Sequence, residues 1–190
     1  LELLLKLVQD FRPTEFVLNS GIDSPPGDGQ SSPTSYSYES WHNMFQVNCL
    51  SLVILMNTLQ ALDMSGLRIV VIGSMYSQVS PNPKNYSHFN NGVGFIKHPG
   101  YGATKAALRN LVKQYSVIFA PRQIRINMLS PGVVFFEQDS EFLKKIVQNI
   151  PMFRPCEPNE LIAALNFLLD PSNSYQTGEE LVLDGGYQLW

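Results

Sequence analysis

The chain is poor in cysteine, poor in charge and free of long apolar runs, and each shortage removes a class of reading. Two cysteines among 190 residues, Cys49 and Cys156, cannot make the multi-bridge framework of a small secreted domain. Without metal-ligand spacing around them, they read as reduced thiols. Charged residues make up 15% of the chain and the net charge is −3. The lysines and arginines are scattered, so no basic stripe is available to neutralise a phosphate backbone, and no nucleic-acid partner is expected. No apolar run approaches the length of a bilayer span, and the first residues lack the basic region and cleavage site of a secretory signal. The expectation is a soluble, cytoplasmic protein with no membrane partner. His42, His88 and His98 share no spacing, which leaves no metal site to expect and assigns them to surface or loop packing.

What is present is a hydrophobic fraction of 44%, enough for one sizeable core and one domain over residues 1–190. Residues 1–11 carry leucines at helical spacing and stop before Pro13, and 15–19 (EFVLN) reads as a short buried strand. Residues 20–37 concentrate Gly, Pro and Ser and form a loop. Over 40–63 the apolar positions cover more than one face, as in a long helix packed on several sides. The run 67–73 (LRIVVIG) is continuous and β-branched, the pattern of a parallel strand covered on both faces. Residues 77–100 are longer than an ordinary connection and are expected, with 133–150, to shape a substrate site. A helix over 101–119, a strand over 124–129, helices over 139–149 and 157–169 and a strand over 180–183 complete the series. This alternation predicts an α/β fold, a doubly wound parallel sheet whose ligands lie beyond the C-terminal ends of its strands.

Polar clusters stand at those ends: Leu18-Asn19-Ser20-Gly21, Gly73-Ser74 and Ser130-Pro131-Gly132. Tyr101-Gly102-Ala103-Thr104-Lys105 opens the helix between the last two. Tyr101 and Lys105 are four apart and share one helix face. A nearby ammonium favours the phenolate, so the pair can serve as an acid or base near neutral pH. Each residue alone has an ordinary reading. Tyr101 and Lys105 would pass as a solvated surface pair, Ser74 as a turn former, and Asn48 as an amide bonding backbone groups at a helix irregularity. Their conjunction, in this order and context, is far rarer than any of them singly.

Asn48, Ser74, Tyr101 and Lys105 match, in order, the catalytic tetrad of the short-chain dehydrogenase/reductase family, which the chain resembles over nearly its whole length. Leu18 to Gly21 is similar to the family's N-N-A-G segment, and Ile126-Asn127 through Pro131-Gly132 to its R-x-N-x-x-x-P-G stretch. Thr177-Gly178 with Asp184-Gly185-Gly186 resembles its T-G…D-G-G ending. The long segment after Ser74 and the C-terminal Gly-Tyr-x-x-Trp look like the branch associated with flagellin or surface-sugar modification.

The resemblance implies a Rossmann-like fold and a hydroxyl–ketone oxidoreductase using NAD or NADP on a small-molecule substrate. Tyr101 would be the general acid/base, Ser74 would hold the substrate oxygen, Lys105 would lower the Tyr101 pKa and bind the nicotinamide ribose, and Asn48 would hold a water in the proton relay. Asn19, Ser20, Gly21, Tyr101, Lys105, Pro131, Gly132 and Val134 would border the cofactor. Homo-oligomers would assemble through the helices at about 40–63 and 101–119.

The departures matter as much. No glycine-rich pyrophosphate motif occurs, and Gly92-Val93-Gly94 follows no strand and opens no helix. The motif is expected ahead of Leu1, so the chain is expected to be a partial domain lacking the family's first three strands, with residues 15–19 left without a neighbour. NAD and NADP are therefore not distinguished. No Thr follows Pro131-Gly132 closely, which gives the backbone near Val134 more of the carboxamide contact. A second class of reading stays open: a non-enzymatic remnant or interaction scaffold that has lost cofactor binding.

Overall fold

The computed structural model describes residues 2–23, 36–89 and 97–189. Four parallel strands, β1 (Glu15–Leu18), β2 (Arg68–Ile72), β3 (Arg125–Pro131) and β4 (Glu180–Leu183), lie side by side in chain order. Helix α1 (Glu2–Phe11) precedes β1, while α2 (Tyr38–Asn48) and α3 (Leu50–Ala61) join β1 to β2. Helix α4 (Pro99–Phe119) joins β2 to β3, and α5 (Ser140–Val147) and α6 (Pro158–Leu169) join β3 to β4.

The pleat of β2 distributes its side chains to two layers. Ile69 and Val71 enter one core with Leu52, Leu55, Met56 and Leu59 of α3 and Leu108 and Val112 of α4. Val70 enters the other with Leu129, Ala164 and Leu168 of β3 and α6. Each such fully buried side chain contributes about 1.5–3 kcal/mol. This two-faced burial is why β2 reads in sequence as an unbroken apolar run.

Three expectations need correction. β1 is not buried: it pairs with β2 alone, and Val17 is 44% exposed, because among the described residues nothing lies on its other side. The long helix over 40–63 is broken at Cys49, whose backbone (φ −110°, ψ −49°) caps α2 and starts α3. The cause is tertiary: Asn48 and Cys49 turn their polar groups to residues 22 and 104, and side-chain contacts of this kind kink helices. Finally, Tyr38–Ala61 taken together is, among the described residues, long and apolar enough to cross a membrane. Asn48, Ser51, Asn57 and Thr58 hide that run from a scan for unbroken apolarity. Its Leu52, Leu55, Met56 and Leu59 pack on the sheet, the arrangement of a core helix.

Candidate active site

The end of α2, the end of β2 and the start of α4 bring the four tetrad candidates together. Ser74, two residues beyond β2, is buried and caps the 3-10 turn Met75–Ser77, accepting from the Tyr76 N–H at 3.2 Å. Its hydroxyl also stands close enough to the Tyr101 phenol to favour the phenolate. Tyr101, in the first turn of α4, stands edge-on to Tyr76, the ring centroids 6.5 Å apart. One turn on, Lys105 is 4% exposed, with Nζ donating to the Ile72 carbonyl at 2.9 Å and lying 5.7 Å from the Tyr101 ring centroid.

Asn48 is fully buried and its amide is engaged at both ends. Oδ1 accepts from the Ile22 N–H at 2.7 Å, while Nδ2 donates to the Ile22 carbonyl at 3.0 Å and to Thr104 Oγ1 at 2.9 Å. Both amide hydrogens are thus used, and Oδ1 keeps one lone pair. Asn48 fastens the loop after β1 to α4. Thr104, which donates to the Tyr101 carbonyl at 2.8 Å, carries that link to the tyrosine. Its role was not legible in the sequence, where it stands as the unremarked residue before Lys105.

Burial governs the charges here. It pushes the Tyr101 phenol up, the Ser74 hydrogen bond opposing and the Asp23 carboxylate adding to the rise. It pushes Lys105 down, with Cys49 and Asp23 opposing. Burial of the phenol and a neighbouring ammonium act on its proton in opposite directions, and the Lys105 ammonium is here held by the Ile72 carbonyl.

Asn19, Ser20 and Gly21 lie exposed in the loop after β1. A methyl at Gly21 would sit 3.4 Å from Lys105 Nζ and 3.7 Å from Asn48 Oδ1, so the glycine keeps open the space over both. Pro131 ends β3, two strand spacings or roughly 10 Å from β1. Gly132 donates to the Leu183 carbonyl at 2.9 Å, and a Cβ there would stand 2.8 Å from the Asp184 backbone, a close approach that only glycine permits. Val134 is half-buried, its carbonyl accepting from Gln138 Nε2 at 2.6 Å. The eight cofactor-side candidates thus form two groups, one around Gly21, Tyr101 and Lys105 and one at the end of β3.

Two clefts meet at Tyr86 and Lys97, whose Nζ lies 5.0 Å from the Tyr101 ring centroid, and neither is lined by a tetrad residue itself. One, of about 420 Å³, is lined by Tyr76, Val79, Pro81, Tyr86, Lys97 and His98; the other, of about 340 Å³, by Tyr86, Phe89, Lys97, Gln138, Asp139 and Phe142. The described parts of both 77–100 and 133–150 line them, residues 90–96 lying outside the described set. A wider cleft of about 560 Å³ lies beside Arg68, Arg125 and Thr177 and contains none of the four tetrad residues. His98 is not a surface residue: it is 1% exposed and caps α4, Nδ1 accepting from the Gly100 N–H at 2.8 Å, so a histidine here serves where Ser or Asp is usual. Beneath the site, the buried Glu180 carboxylate accepts from Ser77 (2.7 Å), Ser130 (2.5 Å) and Gln78 (2.7 Å) and pairs with Arg109. This ties the turn that carries Ser74 to β3, β4 and α4. Nothing in the local sequence marks Glu180, since its partners are 50 to 103 positions away. Among the described residues no cluster fit for a metal ion occurs.

The comparisons with known proteins converge on one family. A family model described as enoyl-(acyl carrier protein) reductase matches residues 3–188. The chain is 31% identical over 127 residues to glucose 1-dehydrogenase of Gluconobacter oxydans, covering 64% of this chain and 43% of that protein. It is 34% identical over 128 residues to the L-tagatose-forming galactitol 2-dehydrogenase of Cereibacter sphaeroides, covering 64% and 46%. Protein FixR of Bradyrhizobium diazoefficiens is 28% identical over 180 residues, covering 91% and 59%. The chain thus spans about half the length of these relatives. Among solved structures, a short-chain dehydrogenase from Leptospira borgpetersenii with bound NAD+ superposes with a TM-score of 0.82 at 23% identity, over 98% of this chain and 70% of that one. ElxO with NADP bound gives 0.77 at 25%, over 100% and 73%. With the model match spanning all four strands and the Tyr101–Lys105 helix, the chain belongs to the short-chain dehydrogenase/reductase family.

Proposed function

We propose that the protein is a nicotinamide-dependent oxidoreductase that interconverts a hydroxyl and a ketone on a polyhydroxylated small molecule, a polyol or sugar derivative. The observation that carries this reading is the convergence of Ser74, Tyr101, Lys105 and Asn48 in one buried neighbourhood, with Lys105 and Asn48 directly beneath Gly21. Curated relatives named for glucose, galactitol and L-xylulose support the substrate class. A bound nicotinamide would supply the two-electron exchange with the substrate carbon. Gly21 leaves room for it over Lys105, and the backbone at Pro131, Gly132 and Val134 offers a second edge. NAD-bound and NADP-bound structural neighbours leave both dinucleotides as candidates.

In this reading Tyr101 takes the proton of the substrate hydroxyl during oxidation and returns it during reduction. Ser74 holds the same oxygen by a hydrogen bond, and Lys105 favours the phenolate. Asn48 positions the loop after β1 and offers its remaining Oδ1 lone pair to a water. A non-enzymatic scaffold would give no reason to bury an ammonium against a single described carbonyl, an arrangement that costs folding energy.

Incubating the whole protein, as its gene encodes it, with NAD+ or NADP+ and galactitol, D-arabinitol or glucose is expected to generate reduced cofactor with at least one of them. No turnover of this panel or of the matching ketoses would sink the proposal. Assembly into homo-oligomers belongs to the same reading. Phe45 (40%), Leu50 (38%) and Ile54 (41%) on α2 and α3, with Val117 (77%) and Ile118 (61%) on α4, expose apolar side chains that a second copy would cover. Sedimentation at micromolar concentration is expected to show a dimer or tetramer; a monomer would rule assembly out.

A further inference from the structure

We propose that Asp23 and Lys97 act as a charge pair that sets how readily Tyr101 releases its proton, Lys97 favouring the phenolate and Asp23 opposing it. The inference rests on the reading of Tyr101 as the proton-transfer group, and it makes Asp23 and Lys97 positioning residues, not catalytic ones.

Neither residue belongs to a motif that marked the site. Asp23 lies two positions beyond Gly21 in the loop after β1, and Lys97 lies four before Tyr101, ahead of α4. The fold joins them in an ion pair whose side chains are only 29% and 15% exposed. From there Lys97 Nζ stands 5.0 Å from the Tyr101 ring centroid and 5.6 Å from that of Tyr76, nearer to Tyr101 than Lys105 Nζ at 5.7 Å. A charge at this range in a partly water-excluded cleft acts far more strongly than the same charge at the surface. Lys97 also lines the two clefts next to Tyr76 and Tyr86, so its ammonium stands between Tyr101 and the space a substrate would enter.

The groups that face Tyr101 from each packed element are few. Ser74, Tyr76 and Tyr86 come from the segment after β2, Tyr187 from the segment after β4, Lys105 from α4, Lys97 from its lead-in, where His98 caps the helix, and Asp23 from the loop after β1. Asp23 reaches nearly all of them. Behind burial, the leading cause in each case, its field raises the Tyr76, Tyr86 and Tyr101 phenols and holds protons on Lys105 and His98. A largely buried ion pair adds little to stability once its desolvation is counted, so its placement against Tyr101 needs another reason.

The test labels tyrosine with ¹³C at Cζ in the whole protein, assigns the Tyr101 signal by its loss in Tyr101→Phe, and follows it through a pH titration. Lys97→Met is expected to raise the Tyr101 midpoint and Asp23→Asn to lower it, each by about one pH unit. The double variant is expected to return close to wild type. Lys97→Gln replaces Lys97→Met if the latter loses the native tyrosine spectrum. Midpoints that stay in place, or that move in the same direction for both variants, overturn the proposal. The readout needs no substrate: opposed shifts in a protein that oxidises no polyol leave the pair standing and remove the enzymatic reading. Polyol oxidation with unmoved midpoints does the reverse.

Discussion

Tyr101→Phe is expected to lower turnover by about 10² to 10⁴, the usual cost of removing one positioned acid/base group. The change deletes one oxygen from a ring that packs beside Tyr76 and the Ile146–Ile150 cluster, and leaves α4 with the same backbone bonds. The phenylalanine ring fills the same space, so the fold is expected to stand. Ser74 keeps its hydrogen bond from the Tyr76 N–H, which limits the structural consequence. Steady-state rates on whichever polyol the protein oxidises, measured beside a thermal melt, separate the two effects. Wild-type turnover in a folded variant would show that Tyr101 moves no proton.

Lys105→Met is the second large effect, and its pH dependence is diagnostic. The methionine keeps the volume of the buried stem while removing the ammonium that lies 5.7 Å from the Tyr101 ring. Burial already pushes this phenol up, so losing a stabilising cation raises it further, by about one to three pH units. Oxidation uses the phenolate, and its fraction below the midpoint falls tenfold per unit. Oxidation near pH 7 is therefore expected to drop by about 10 to 10³ and to recover as the pH rises. A loss independent of pH would mean that Lys105 matters only for binding. The Ile72 carbonyl, left without its donor, adds a modest loss of stability, about 1 kcal/mol, which the melt reads separately.

Much of this site was legible because its signals are local. Ser74 follows a run of β-branched residues, and Tyr101 and Lys105 lie one helical turn apart behind Pro99. Neither observation needs the fold. The close approach at Gly132 and the open space over Gly21 were also visible as glycines at strand ends, though not what they approach. The break at Cys49 was foreshadowed only by the ordinary reading of Asn48 as an amide at a helix irregularity, since the residues around it have helical character and the break follows from contacts with residues 22 and 104. The same holds for β1, whose three apolar residues in succession look like a buried strand until its single neighbour is known.

By itself, then, the order of residues determined the α/β alternation, the positions of β2 and β4, and the pairing of Tyr101 with Lys105. The helices and the Tyr101–Lys105 pairing follow from a period of nearly four residues, and the strands from short unbroken apolar runs, both of which the local backbone imposes wherever the chain folds. Only the tertiary structure decided which polar groups meet. Asn48 reaches Ile22 and Thr104 across 26 and 56 positions, Glu180 gathers Ser77 and Ser130 from across the sheet, and Asp23 meets Lys97 beside the tyrosine. Burial pushes the Tyr101 phenol up, against the direction that a neighbouring lysine favours. Desolvation depends on everything packed around a group, and no spacing along the chain records that.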